Sequence, residues 1–150
     1  AYNRHITENK EEEFGYLTPN MKELFANADF ISLHLPGSAA THHMINAELI
    51  GLMKPTAYLI NCGRGEVVDE AALIEALKNH KIQGAALDVV ETNLPTDDNP
   101  LLKMDNVIVT PHTAAFTTEA LENMAYQAAL GVYETLEGKP VTFPINKLNK

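Results

Sequence analysis

The stretch Tyr58-Leu59-Ile60-Asn61-Cys62-Gly63-Arg64-Gly65 decides the fold. Its first half is apolar without alternation, as in a strand covered on both faces. Its second half breaks into glycine, arginine and glycine, and so sets a long cation where the strand leaves the core. Counted from Ala57 to Asn61, this strand has three companions of the same character: Phe30 to Leu35, Ala85 to Val89 and Val107 to Thr110. Helical patterns fall between most of them. Thr18 with Pro19 predicts a capped helix bearing Met21, Leu24 and Phe25. Asn46 predicts a second, bearing Leu49, Ile50 and Met53, stopped before Pro55. Asp69 predicts a third, with Leu73, Ile74 and Leu77 inward. A last, long helix is predicted from Thr118 to Glu137, with Leu121, Met124, Ala125, Ala128 and Val132 on one stripe and Gly138 as its stop. Strands alternating with helices predict an α/β fold: a parallel sheet with right-handed crossovers and helices on both faces.

Composition narrows the function classes. The 150 residues suffice for one domain with a core, and 45% hydrophobic against 21% charged residues is ordinary for a globular protein. A net charge of −9 argues against a nucleic-acid or anionic-membrane partner, while leaving room for a local cationic pocket. No apolar run approaches the ~20 residues of a membrane span. One cysteine, Cys62, forms no internal disulfide and fits a reducing, cytoplasmic compartment. It reads as a small strand-end residue, and no G-x-S-x-G elbow occurs. The acidic run Glu8 to Glu13 reads as a solvated surface.

Ligands of open parallel sheets bind beyond the carboxyl ends of the strands. The residues there are His34-Leu35-Pro36, Cys62-Gly63-Arg64-Gly65, Asp88 followed by Glu91-Thr92-Asn93, and Pro111-His112-Thr113-Ala114. Arg64, flanked by glycines that leave room for a ligand, is a rigid fork suited to a carboxylate. His112 supplies an acid or base near neutral pH. Asp88 either caps a helix or binds a polar ligand group. His42-His43 cannot turn both rings to one ion from a single helix face, so no metal site is expected there.

Several segments together resemble the D-isomer-specific 2-hydroxyacid dehydrogenases over essentially the whole chain. They are Ser32-Leu33-His34-Leu35-Pro36 with Thr41, Met53-Lys54-Pro55, Ile60-Asn61-Cys62-Gly63-Arg64-Gly65 with Val67 to Leu73, Gly84 to Val89, and Thr110-Pro111-His112-Thr113-Ala114. The resemblance implies a Rossmann-type, doubly wound cofactor domain that transfers a hydride between NAD(P)H and a small 2-oxo acid. It makes Arg64 the anchor of the substrate carboxylate and carbonyl, and His112 the acid/base. It sets Asp88 on the nicotinamide carboxamide, with His34, Leu35, Pro36, Thr41, Cys62, Gly63 and Ala114 lining the cofactor. A homodimer is implied as well.

Three departures shape the expectation. Where the family pairs its histidine with a glutamate, this chain has Asn93, an amide that orients a ring without a charge; Glu91 is the alternative partner. Asn3, with Arg4 and His5 after it, stands where NAD-dependent members carry an acid for the adenosine ribose, which leans the cofactor towards NADP. The family's glycine-rich loop is absent from these residues, as are the first strand, most of the second and the substrate domain. In the order 3-2-1-4-5-6, that loss predicts a gap between the strand at Phe30 and the strand at Ala57. The chain is therefore expected to be the C-terminal part of a dinucleotide-binding domain. A non-catalytic, nucleotide-sensing relative and a piece inactive on its own are the rival readings.

Overall fold

The computed structural model describes residues 1–2, 15, 17–92 and 96–145. They fall into two units, Ala1–His112 and Thr113–Lys150. In the first, each apolar run forms a strand with its ends trimmed: β1 is Phe30–Leu33, β2 Tyr58–Asn61, β3 Gly84–Leu87 and β4 Val107–Val109. All pair in parallel in the order β1-β2-β3-β4.

The expected gap is not there. β1 and β2 pair directly, from Phe30 opposite Tyr58 to Leu33 opposite Asn61. The reason lies upstream, where Thr18 bridges Tyr2 in parallel and donates its N–H to the Ala1 carbonyl at 2.9 Å. Thr18, and not the Phe30 run, is thus the partner of Tyr2, and β1 stands beside β2.

The same bridge displaces the first helix cap. With the Thr18 backbone engaged, α1 (Met21–Asn27) starts from Asn20, whose side chain accepts the Glu23 N–H, and Pro19 stays outside. The Thr18 hydroxyl takes the Asn20 N–H instead. The other caps form as expected. Asn46 accepts from Leu49 N–H ahead of α2 (Ala47–Leu52), and Asp69 accepts from Ala72 N–H ahead of α3 (Glu70–Lys78).

A sheet whose parallel strands follow one another in chain order, through right-handed crossovers, carries its helices on one face only. The burial pattern agrees. Ile31, Leu33, Leu59, Asn61, Ala85 and Leu87 are buried with Phe25, Leu49, Ile50, Leu73 and Leu77 from the three helices. On the opposite face Phe30 and Tyr58 stack 5.5 Å apart and remain exposed, as does Ile108. The continuous apolar runs had predicted cover on both faces; among the described residues the crossover helices supply it on one.

The second unit holds α4 (Thr118–Leu136), capped by Thr117 and ended at Gly138, which has φ +65°. Beyond it Thr142 donates both its N–H and its hydroxyl to the Glu134 carboxylate. Leu121, Met124 and Val132, expected on one apolar stripe, are exposed; among the described residues of this unit no second helix or strand packs on α4.

Candidate active site at the carboxyl ends of the strands

Asn61 organises the end of β2. The amide is 1% exposed. Its oxygen accepts the Gly63 N–H, and its nitrogen donates to the Arg64 carbonyl, both at 3.0 Å. One buried side chain thereby closes the turn that carries Arg64. Both flanking glycines have a steric reason. A Cβ on Gly63 would sit 3.0 Å from the Leu35 carbonyl oxygen, and one on Gly65 only 1.8 Å from that of Val90. The loops after β1 and β3 therefore press on the turn from either side. Arg64 itself is exposed, with Nη1 donating to the Gly63 carbonyl at 2.8 Å.

Beside it, His34, Leu35, Pro36, Gly37, Cys62, Gly63 and Arg64 line one open depression of about 420 Å³. Five residues expected at the cofactor, His34, Leu35, Pro36, Cys62 and Gly63, are thus gathered with Arg64. Thr41 is buried behind them, and its hydroxyl donates to the Pro36 carbonyl at 2.7 Å. That bond braces the loop after β1. His34 is exposed, with Nε2 2.9 Å from the Ser32 hydroxyl.

At the end of β3, buried Asp88 donates its N–H to the Asn61 carbonyl and accepts the Thr110 hydroxyl at 2.6 Å. These two bonds tie the ends of β2, β3 and β4 together. Thr110 leads to His112, which is exposed, at φ +56°, with its N–H on the Thr110 carbonyl. Only a few per cent of non-glycine residues adopt such a φ, histidine more readily than most. His80 shares it for an ordinary reason. It follows α3, where the Lys81 and His80 N–H groups close on the carbonyls of Ala76 and Leu77, a Schellman end. His112 follows a strand, and no helix end accounts for its conformation; strained backbone of this kind gathers at functional sites.

Glu91 is engaged elsewhere than at His112. One carboxylate oxygen lies 2.6 Å from His43 Nε2. Its backbone N–H goes to Glu70 Oε2, while Glu70 Oε1 accepts from Asn99. Glu70, at the start of α3, thus fastens both ends of the loop spanning residues 91–99. Asn3, Arg4 and Asn93 lie outside the described residues, and Ala114 belongs to the second unit, where it is exposed. The sequence reading assigned no role to Asn61, Glu70, Thr110 or Asn99. An amide ending an apolar strand was the one available signal, since a buried amide needs partners; the other contacts join residues far apart in the chain.

Three comparisons place the chain among known proteins. Residues 1–114 match the model of the D-isomer specific 2-hydroxyacid dehydrogenase, NAD binding domain. A D-3-phosphoglycerate dehydrogenase from Synechocystis sp. is 40% identical over 146 residues, covering 97% of this chain and 26% of that protein. Among solved structures, D-lactate dehydrogenase with NAD+ from Lactobacillus jensenii superposes with a TM-score of 0.85 at 35% identity, covering 97% of this chain and 47% of that one. An NADPH-dependent glyoxylate/hydroxypyruvate reductase from Sinorhizobium meliloti, solved with NADP and malonate, gives 0.84 at 30%, covering 96% and 44%. The chain spans between a quarter and a half of the length of these relatives. The parallel sheet, the flanking helices and the matched residues agree: the chain belongs to the NAD-binding domain family of the D-isomer-specific 2-hydroxyacid dehydrogenases.

Proposed function

We propose that this chain is the C-terminal part of the dinucleotide-binding domain of an NAD(P)-dependent reductase of small 2-oxo acids, with Arg64 and His112 as its working side chains. The observation that carries the reading is the bracing of Arg64. A cation is set on a rigid, glycine-flanked turn at the end of β2, beside an open depression and one strand away from the Asp88–Thr110–His112 end.

The residues fit a nicotinamide cofactor. Gly63 and the loop after β1 come so close that a side chain at Gly63 would crowd the Leu35 backbone. The depression thus presents bare backbone, as a flat ring and its ribose require. When bound, the cofactor supplies the hydride. This chain's residues do the rest. The Arg64 N–H groups not held by Gly63 bind the substrate carboxylate and carbonyl and fix the carbonyl carbon in place. His112 donates a proton to the carbonyl oxygen in reduction and recovers it in oxidation. Asp88, steadied by Thr110, would hold the cofactor's carboxamide, and Thr41, bonded to the Pro36 carbonyl, would steady Leu35 and Pro36 as part of the same binding surface. Ala114 lines the cofactor, and Asn93 orients His112 as an amide.

Three finer points belong to the same reading. Asn3 and Arg4 tilt the choice towards NADP. The protein works as a homodimer in the cytoplasm. Its partners are small acids; among the described residues no helix is long and apolar enough to cross a membrane.

The test is turnover of glyoxylate, hydroxypyruvate, pyruvate and phosphohydroxypyruvate by the full protein with NADH and with NADPH. At least one acid is reduced, with the higher kcat/KM on NADPH. Arg64→Ala costs roughly 100- to 1000-fold in kcat/KM, and His112→Gln about 100-fold or more in kcat. A protein that binds cofactor yet reduces none of the four is a sensor and not a reductase.

A further inference from the structure

Beside the turn that follows Arg64, three potential metal ligands meet. His42 and His43 lie in a turn, not on a helix, so the geometric objection to adjacent histidines does not apply. His43 takes φ +47°, and its N–H donates to the Glu66 carbonyl at 2.8 Å. The two rings consequently stack with centroids 4.0 Å apart. Glu91, arriving from the loop after β3, brings a carboxylate oxygen to 2.6 Å from His43 Nε2. One ligand atom from each of the three lies within 4.8 Å of the others.

We propose that His42, His43 and Glu91 bind a divalent transition ion of the zinc class, joining the turn at Thr41–Ile45 to the loop after β3. Two imidazoles and one carboxylate suit zinc, nickel, cobalt or copper, and not magnesium or calcium, which take oxygen. Bonds of about 2.0–2.1 Å in a tetrahedron set ligand atoms a little over 3 Å apart, so small side-chain rotations bring this trio onto an ion. Water completes the coordination, since His42 and Glu91 are exposed. The supports of the site are already in place. The turn is pinned by the Thr41 and His42 N–H groups on the Ser38 carbonyl and by Ile45 N–H on Val67. The Glu91 backbone is pinned by Glu70. A metal ion here replaces the direct His43–Glu91 contact with a bridge and fixes the segment that leads to Asn93.

The experiment is calorimetric titration of the chelator-treated full protein with Zn2+ at neutral pH, and separately with Mg2+. Expected is one equivalent of Zn2+, no Mg2+ binding, and a rise in melting temperature with zinc. His42→Ala and the near-isosteric Glu91→Gln each weaken binding by about tenfold or more, and His42→Ala with His43→Ala abolishes it. His80→Ala, at an exposed histidine elsewhere, leaves it unchanged. Cobalt loaded in place of zinc gives visible d–d absorption that Glu91→Gln alters. Absence of stoichiometric zinc binding, or binding indifferent to His42 and Glu91 in variants with wild-type circular dichroism, overturns the proposal.

Discussion

Replacing Asn61 tests the organisation of the Arg64 turn at its root. The side chain is 1% exposed, and both of its polar atoms are used at 3.0 Å, on Gly63 N–H and on the Arg64 carbonyl. Asn61→Ala loses both bonds, at about 1 kcal/mol each net. The Arg64 carbonyl belongs to an exposed residue and recovers water. The half-buried Gly63 N–H recovers less, and a small void remains under the sheet end. Together these come to about 2–4 kcal/mol. Asn61→Asp keeps the acceptor for Gly63 but turns a buried carboxylate oxygen towards the Arg64 carbonyl oxygen, acceptor against acceptor. It costs as much or more, since a buried charge lacks a partner. Urea unfolding at pH 7.5 reads the loss as a lower midpoint at unchanged slope. In the turnover assay the alanine variant behaves as a mild Arg64 variant, with KM for the acid rising, because the turn now wanders. A loss below about 1 kcal/mol, with KM unmoved, would refute the reasoning.

Three further outcomes follow from other contacts. Gly65→Ala puts a Cβ 1.8 Å from the Val90 carbonyl oxygen, a backbone atom with no rotamer to give; about 3 kcal/mol is lost and the melting temperature falls by roughly 6–12 °C, so a shift near zero would mean the loops slide apart freely. His80→Gly relieves a left-handed residue at the end of α3 and raises stability by about 0.5–1 kcal/mol in urea, the relief outweighing the extra entropy of glycine; destabilisation would show that the His80 ring does more than end a helix. The Glu134 carboxyl is held below its ordinary pKa by the Thr142 hydroxyl, then by the Thr142 N–H, with Lys139 adding to the effect. A depressed carboxylate stabilises above its unfolded pKa and loses that contribution as pH falls through the folded one, so Thr142 amide protection disappears on acidification and is already weak at neutral pH in Glu134→Gln; equal protection at pH 3 and 7 would contradict this.

How much was legible in the sequence depends on the range of the contact involved. The four strands came from local apolar runs, and the caps at Asn46 and Asp69 from side chains that reach only three residues on. The gathering of His34, Leu35, Pro36, Cys62 and Gly63 around Arg64 came from the strand-end rule together with the family resemblance. Legibility ended where a residue's partner was distant. Thr18 reads as a helix cap until Ala1 and Tyr2 are seen to hold its backbone. A single bridge is too short to leave a pattern, and without it the Phe30 and Ala57 runs were expected to stand apart. The His43–Glu91 and Glu70–Asn99 contacts span 48 and 29 residues, and no local spacing announces them. Adjacency alone suggests that the two histidines are helical neighbours, and the left-handed φ at His43 breaks that premise.

The chain-order sheet also bears on how the first unit is assembled. Each strand from β2 onward pairs with the one made just before it, so the sheet grows at a single edge. Parallel pairing is intrinsically slow because its loops must close before contacts reward them. Here every closure spans one crossover and none has to wait for a strand from the far end of the unit. A nascent chain emerging N-terminus first can thus lay each strand on a finished neighbour, and the Asn61 turn takes its form before the loop carrying Val90 arrives to press on Gly65.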